Sequence, residues 1–308
     1  RERHLKIILG VQDEKVPVWE LQVPLMINSL SWKKKSWYNE TWVDSGGYQI
    51  MKKGTARNLN DLISVYKTLK ADCYMSLDIP TLPCQPPDPR NFENFKALVD
   101  SGLNVVPIIH GYCPDAMEKA LDFYRQFKPS VIAYGGMVPP SMDRAGGRRI
   151  AVILFHYLRE MTQGKEKLHV LGVGSPFMRK IYFSADSADT ATYRVKAIMG
   201  MVLIPGRGER YVGIRTIKWH VRSAIKEELQ ELLDFLESTH FPYDVDLNTW
   251  IGRSMINAWV LTHSEYGDSP DAEFSRRVSR LSQEELRELA ESACKKINSR
   301  NASLNEFV

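Results

Sequence analysis

The chain is poor in cysteine: Cys73, Cys84, Cys113 and Cys294 are its four, and no two form a CxxC unit. Scatter of that kind excludes a disulfide scaffold and implies reduced thiols in a cytoplasmic setting. No apolar run approaches the roughly 18–20 residues that a membrane span needs. Residues 5–9, behind Arg1-Glu2-Arg3-His4, are too few for a signal-peptide core. No membrane partner is therefore expected. Internal repeats and low-complexity tracts are missing, and so is a GxGxxG after any strand-like run, the phosphate fingerprint usual in open doubly wound sheets. Charge of one sign is also scarce. The 41 Lys and Arg against 37 Asp and Glu leave +4, too little to establish a nucleic-acid partner from the total. With 44% apolar and 25% charged residues, the chain is far from a disordered composition. Its 308 residues accommodate one large domain with a small appendage, or two modest domains.

What is present is an alternation. Short β-branched or apolar runs ending in Gly, Asp or Pro recur through the first two thirds, with strand candidates at residues 5–9, 74–77, 105–109, 131–134, 168–172 and 181–184. Stretches at 59–69, 92–100, 114–127 and 148–161 carry apolar residues at helical spacing. Strands alternating with helices imply a parallel sheet. Weaker strand candidates at 21–27 and 42–43 raise the count to about eight, the number of a TIM (β/α)8 barrel. The fold class is thus α/β, with residues 1–218 as the barrel and 219–308 as a helical C-terminal region that includes barrel-packing helices. Within that region 224–238, 248–262 and 283–299 read as helices, 264–274 as a polar linker and 298–308 as a frayed tail.

Polar residues gather where the strand candidates end. Asp44-Ser45-Gly46-Gly47-Tyr48-Gln49 follows one, Asp78-Ile79-Pro80 another, His110-Gly111 a third. Gly135-Gly136 and Gly172-Val173-Gly174 follow two more, and Asp186-Ser187-Ala188-Asp189 supplies two further carboxylates. An Asp after a strand also serves as a helix N-cap, and a Gly pair as a turn. In a parallel barrel, however, strand ends share one face, so these groups converge on a single pocket, a pattern that points to an active site.

Six of these segments, in order over about residues 40 to 200, resemble the tRNA-guanine transglycosylase superfamily. Asp44-Ser45-Gly46-Gly47-Tyr48-Gln49 is similar to its DSGGFQ signature, and Leu77-Asp78-Ile79-Pro80-Thr81 to its base-recognition segment. Ile109-His110-Gly111 stands where the family has V-Q-G, and Gly135-Gly136 where it has a GG loop. His169-Val170-Leu171-Gly172-Val173-Gly174-Ser175-Pro176 resembles the LxGxGxP strand, and Asp186 to Tyr193 the block that carries the nucleophile.

The resemblance implies exchange of a guanine base for a 7-deazaguanine without cutting the polynucleotide backbone. Asp189 matches the nucleophile that would form a covalent link to C1′, with Asp186 as the alternative; Asp44 matches the general acid/base. Asp78 would accept hydrogen bonds from the donor edge of guanine, and Ser45, Gln49, His110, Gly135, Gly136 and Gly172 would complete the base site, with Tyr48 a candidate for stacking.

Two departures are visible. His110 replaces Gln and, as a neutral ring, would offer one donor and one acceptor. The CxCxxC-plus-His zinc site that follows the nucleophile in the tRNA enzymes is missing, because Cys294 is the only cysteine beyond Cys113. No cofactor is therefore expected, and zinc held by four protein ligands is not expected either, which leaves open only ligands far apart in sequence. Together with the short helical end, this favours the compact 7-deazaguanine DNA transglycosylase branch known from phages and bacterial modification clusters, with a preQ0-like free base as second substrate. Action on tRNA is the alternative; a non-catalytic nucleic-acid-binding partner subunit is the second. A duplex target would need its base out of the stack, which a duplex-opening protein partner could assist. Candidate phosphate contacts are Lys33, Lys34 and Lys35 between Trp32 and Trp37, then Arg144, Arg148 and Arg149, then Arg207, Arg210, Arg215 and Lys218.

Overall fold

The computed structural model describes residues 5–32, 39–46, 57–135, 147–173, 176–213 and 221–305. Nine parallel strands form one sheet: β1 (Lys6–Val11), β2 (Leu25–Asn28), β3 (Thr41–Asp44), β4 (Cys73–Met75), β5 (Val105–Val106), β6 (Ile108–Ile109), β7 (Val131–Tyr134), β8 (Lys167–Val170) and β9 (Ser187–Thr190). Their order is β5-β4-β3-β2-β1-β9-β8-β7-β6. The two ends of that order, β5 and β6, are halves of one segment divided by Pro107, so the sheet curls round into a TIM-like parallel barrel. Pro107 has no N–H to give to the ladder, but its carbonyl accepts the Ala133 N–H at 2.9 Å.

The strand sequences encode the barrel through their period of two. Ile8, Met26, Trp42, Cys73, Met75, Val106, Ile108 and Ala133 pack together inside it. The residues of opposite parity, among them Ile7, Leu9, Ile27, Val43, Ile109, Ile132 and Val170, belong to the outer cluster that the helices cover. Covering helices include α1 (Leu59–Thr68), α2 (Arg90–Asp100), α3 (Pro114–Arg125), α4 (Gly147–Thr162), the short α5 (Met178–Ile181) and α6 (Thr192–Ile198). The Asn58 side chain caps α1 by accepting the Asn60 N–H at 2.8 Å and the Asp61 N–H at 3.2 Å.

After the barrel come an antiparallel hairpin, β10 (Met201–Ile204) and β11 (Gly208–Tyr211), and helices α7 (Lys226–Ser238), α8 (Trp250–His263), α9 (Pro270–Ser279) and α10 (Gln283–Asn305). α7 packs on the hairpin strand β10, while α8, α9 and α10 pack on the barrel and its covering helices. Buried Asn257 of α8 accepts the Leu203 N–H at 2.8 Å and donates to the Tyr193 and Met201 carbonyls. His156 of α4 meets Ser275 of α9 at 2.7 Å, and Arg287 of α10 pairs with Glu118 of α3.

Three expectations need correction. The apolar run at 181–184 is not a strand: Ile181 ends α5, and the last barrel strand is the Ser-Ala-Asp-Thr run of β9, weak in intrinsic β-propensity and held by parallel neighbours on both sides. The linker at 264–274 turns helical at Pro270, where the Ser269 side chain accepts the Ala272 N–H at 3.2 Å and Pro sits at the first helical position. The supposed frayed tail continues α10 to Asn305.

Candidate active site

The barrel's inward parity continues past its apolar layers into polar ones. Trp42 faces inward, so Asp44 does too; Ile108 is followed at the same parity by His110, and Ala133 by Gly135. Across β8 and β9 the inward positions are His169, Ser187 and Asp189. A strand pattern that builds core at one level therefore builds a cluster of ionisable groups at the C-terminal mouth.

Asp44 ends β3. Burial, then the neighbouring charge of Asp189, and to a smaller degree that of Asp78, push its carboxyl up to about 6, against hydrogen bonds from the Gly46 and Ser45 N–H groups that act the other way. The Gly46 N–H reaches Asp44 Oδ2 at 3.2 Å. Gly46 has φ +72°, and a Cβ there would come within 2.7 Å of the Leu30 side chain, so the turn behind Asp44 requires glycine. Ser45 is buried, and its carbonyl accepts from Arg57, which also donates to Ser29 Oγ at 2.7 Å. Arg57, whose guanidinium interacts with the Asp44 charge, was not singled out from sequence; it lies outside every strand-end motif.

Asp189 lies in β9 with its carboxylate in a fixed setting. His169 Nε2 is 2.8 Å from Oδ1, and the Gly172 N–H donates to the same oxygen at 3.3 Å. His169 Nδ1 is 2.8 Å from Ser187 Oγ. The ring is fully buried and packs against Trp42 with centroids 4.7 Å apart. Asp189 can only accept, so Nε2 donates to it, while the Ser187 hydroxyl, able to donate or accept, partners Nδ1. Gly172, a candidate for base contact, is turned to Asp189 with φ +69°. The role of His169 escaped sequence reasoning, although the signal was available: a histidine at inward parity beside a strand bearing a carboxylate.

Asp186 is elsewhere. It precedes β9 at the N-terminal end of the barrel, where Arg159 holds it at 2.8 Å and the Leu168 N–H at 2.8 Å. An offset of three positions thus sends the two carboxylates to opposite ends of the barrel.

Asp78 and His110 form a close pair, His110 Nε2 to Asp78 Oδ2, and His110 Nδ1 lies 3.1 Å from the Gly135 carbonyl. Both ring nitrogens face acceptors, so the histidine serves as a two-donor imidazolium and not as the neutral ring expected from sequence. Burial alone would lower its pKa; the Asp78 charge and the two hydrogen bonds outweigh it and raise the value above 6.5. Asn91 pins the Asp78 loop through the Ile79 N–H at 2.7 Å, and Asn94 donates to the Leu77 carbonyl at 3.1 Å. Gly135 makes room for the pair: a Cβ there would stand 2.6 Å from the His110 ring.

The arginines are already engaged within the chain. Arg207 makes a two-pronged pair with Glu231 at 2.7 and 2.8 Å, and Arg210 pairs with buried Glu228 at 2.9 Å. Arg149 lies over the Phe274 ring at 5.0 Å, and Arg148 is 3.9 Å from Asp271. The candidates Tyr48, Gln49, Gly136, Lys33, Lys34, Lys35, Arg144, Arg215 and Lys218 lie outside the described residues. Among the described residues, the group able to hold a metal ion is Cys84, Cys113 and Cys294.

Barrel and mouth together define a TIM-like α/β protein whose strand ends converge on three carboxylates and two histidines. The chain is 34% identical over 265 residues, 85% of its length and 83% of the relative's, to uncharacterized protein 306 of Sulfolobus islandicus rod-shaped virus 1, and it belongs to the family of that protein. No protein-family model matches it. No helix among the described residues is long and apolar enough to cross a membrane.

Proposed function

We propose that this protein is a (β/α)8-barrel guanine transglycosylase of the superfamily its motifs resemble, acting on DNA and lacking that superfamily's CxCxxC zinc site. The observation that carries the reading is the unlike environment of two carboxylates in one mouth. Asp44 is held up to about 6, in the range of an acid/base, while Asp189 accepts two hydrogen bonds on one oxygen.

In the first half-reaction an Asp189 oxygen attacks C1′ of the target nucleotide as the C1′–N9 bond breaks. The electron pair leaves with guanine, which takes a proton from Asp44. In the second, the incoming 7-deazaguanine gives its N9 proton to Asp44 and attacks C1′, and the ester bond to Asp189 breaks. Atoms and charge balance, and no cofactor is consumed. Asp78, paired with His110 through Oδ2, keeps its Oδ1 for the donor edge of guanine, with Ser45 beside Asp44 a further candidate for the base. The DNA assignment rests on the missing tRNA-type zinc motif after the nucleophile block.

Incubation with guanine-containing DNA and no incoming base tests this reading. A denaturant-resistant protein–DNA adduct is expected from the native chain and from Asp186→Asn, and none from Asp189→Asn. An adduct formed with tRNA alone would move the substrate to tRNA; none with either polynucleotide would leave a binding subunit.

A further inference from the structure

Three of the four cysteines, far apart in sequence, meet in space. Cys84 comes from the loop after β4, Cys113 is the residue that caps α3, and Cys294 lies in α10. Their sulfurs all lie within 4.8 Å of one another, with Cys84 and Cys294 at 2.8 Å. Cys84 and Cys294 are buried, and Cys113 is half-exposed. Three thiols that touch satisfy one another poorly, since S–H is a weak donor and sulfur a weak acceptor. A Cys84–Cys294 disulfide would leave Cys113 outside it, its thiol donating to the Cys84 carbonyl at 3.4 Å. A tetrahedral ion with metal–sulfur bonds of about 2.3 Å holds its sulfurs roughly 3.8 Å apart, inside the span observed.

The backbone is also shaped for convergence. Cys84 has φ +63°, a left-handed conformation that costs a non-glycine residue stability and persists only where its surroundings enforce it. Its N–H donates to the Gly111 carbonyl at 2.8 Å, tying the Cys84 loop to the Cys113 loop. Beside the cluster Gln85 donates to Asn298 of α10 at 3.2 Å.

We propose that Cys84, Cys113 and Cys294 bind one thiophilic divalent ion, zinc being the fitting one, as three thiolates with a fourth position open to solvent beside Cys113. Each thiol gives its proton to solvent as its metal–sulfur bond forms, and no redox change is involved. The position differs from a zinc site following the nucleophile: two of the three ligands precede Asp189. Its effect is mechanical. Cys84 is six residues beyond Asp78 and Cys113 three beyond His110, so the ion clips α10 to the two loops that carry the Asp78–His110 pair. This inference is independent of the base-exchange reading.

The full chain, reduced and stripped with a chelator, is titrated with Co2+ alone. One equivalent bound with a thiolate-to-cobalt charge-transfer band is expected, displaced by Zn2+. Cys84→Ser, Cys113→Ser and Cys294→Ser each lose the band, and Cys73→Ala, in the barrel interior, keeps it. Should the buried variants fail to fold, the native chain still decides: Zn2+ added to stripped protein raises its Tm. Absence of any band with all four thiols reduced overturns the proposal. So does a band retained in Cys113→Ser and Cys294→Ser, or a metal-free chain with a Cys84–Cys294 disulfide isolated from zinc-supplemented cells.

Discussion

His169 Nε2 lies 2.8 Å from Asp189 Oδ1, and the same ring's Nδ1 lies 2.8 Å from Ser187 Oγ. Because β8 and β9 are paired with His169 opposite Ser187, the three side chains stack along the barrel wall. The carboxylate accepts only, so Nε2 is the donor aimed at it, and the Ser187 hydroxyl anchors the other side of the ring. An orienting group of this kind restricts Asp189 to one rotamer and leaves its second oxygen for C1′.

His169→Phe keeps a ring against Trp42 and removes both hydrogen bonds. Single-turnover adduct formation is expected to slow by about 10–100-fold, the usual effect of losing an orienting partner. DNA affinity should stay within about twofold, because His169 is buried below the surface a polynucleotide would touch. Equal loss of binding and rate would contradict a positioning role.

Asp44 links chemistry to stability with a definite sign. Its carboxyl titrates near 3.8 in the unfolded chain and at about 6 in the folded one. The folded state therefore favours the protonated form. The penalty is absent below pH 3.8, grows up to about 6, and is fully present above it. Asp44→Asn should stabilise the protein at pH 8 by an amount on the order of 2–3 kcal/mol and not at pH 3.5. Paired urea melts at the two pH values check this. Adduct formation by the native chain should decline with rising pH above about 6, and the variant should lose that decline.

Much of the mouth was legible in sequence because strand ends are marked by abrupt polarity: Asp44, Asp78, His110 and Gly135 each follow an apolar run. The barrel followed from alternation alone. β9 was missed because Ser-Ala-Asp-Thr has little β-propensity and is a strand only through β1 and β8 on its two sides. The hairpin β10–β11 and the cysteine cluster were invisible too. The cluster depends on contacts between segments distant in the chain, Cys84 and Cys294 being 210 positions apart, whereas the hairpin is local and its β11 run, Gly-Glu-Arg-Tyr, carries little apolar signal.

Gly135→Ala tests the Asp78–His110 pair. The added Cβ would stand 2.6 Å from His110 Cε1 and Nδ1, so the ring must move and surrender its bond to the Gly135 carbonyl. A loss of about 1–3 kcal/mol is expected, against little change for Gly213→Ala, where nothing lies within 4 Å of the new methyl. The sign with pH follows from the histidine. His110 is raised above 6.5, so its pairing contributes in full below 6.5 and is lost as pH rises through the folded value. The deficit of Gly135→Ala should accordingly narrow in alkaline denaturation series.

The basic groups separate into engaged and candidate classes, and salt dependence distinguishes them. Each phosphate neutralised adds about 0.9 to the magnitude of the slope of log K against log salt. Arg207 and Arg210 are held by Glu231 and Glu228, and Glu228 also pairs with Arg222. Glu228 is drawn down to about 2 because hydrogen bonds from the Ile225 N–H, Arg222 and Arg210 outweigh its desolvation, so it stays charged at neutral pH and keeps its arginines. Arg207→Ala and Arg210→Ala should leave the slope for DNA binding unchanged, whereas a combined Lys33, Lys34 and Lys35 to Ala variant should flatten it by roughly 2–3. Filter binding from low to moderate salt reads both. A slope that falls in the arginine variants and holds in the lysine variant would move the phosphate path from the Trp32–Trp37 segment to the β10–β11 hairpin.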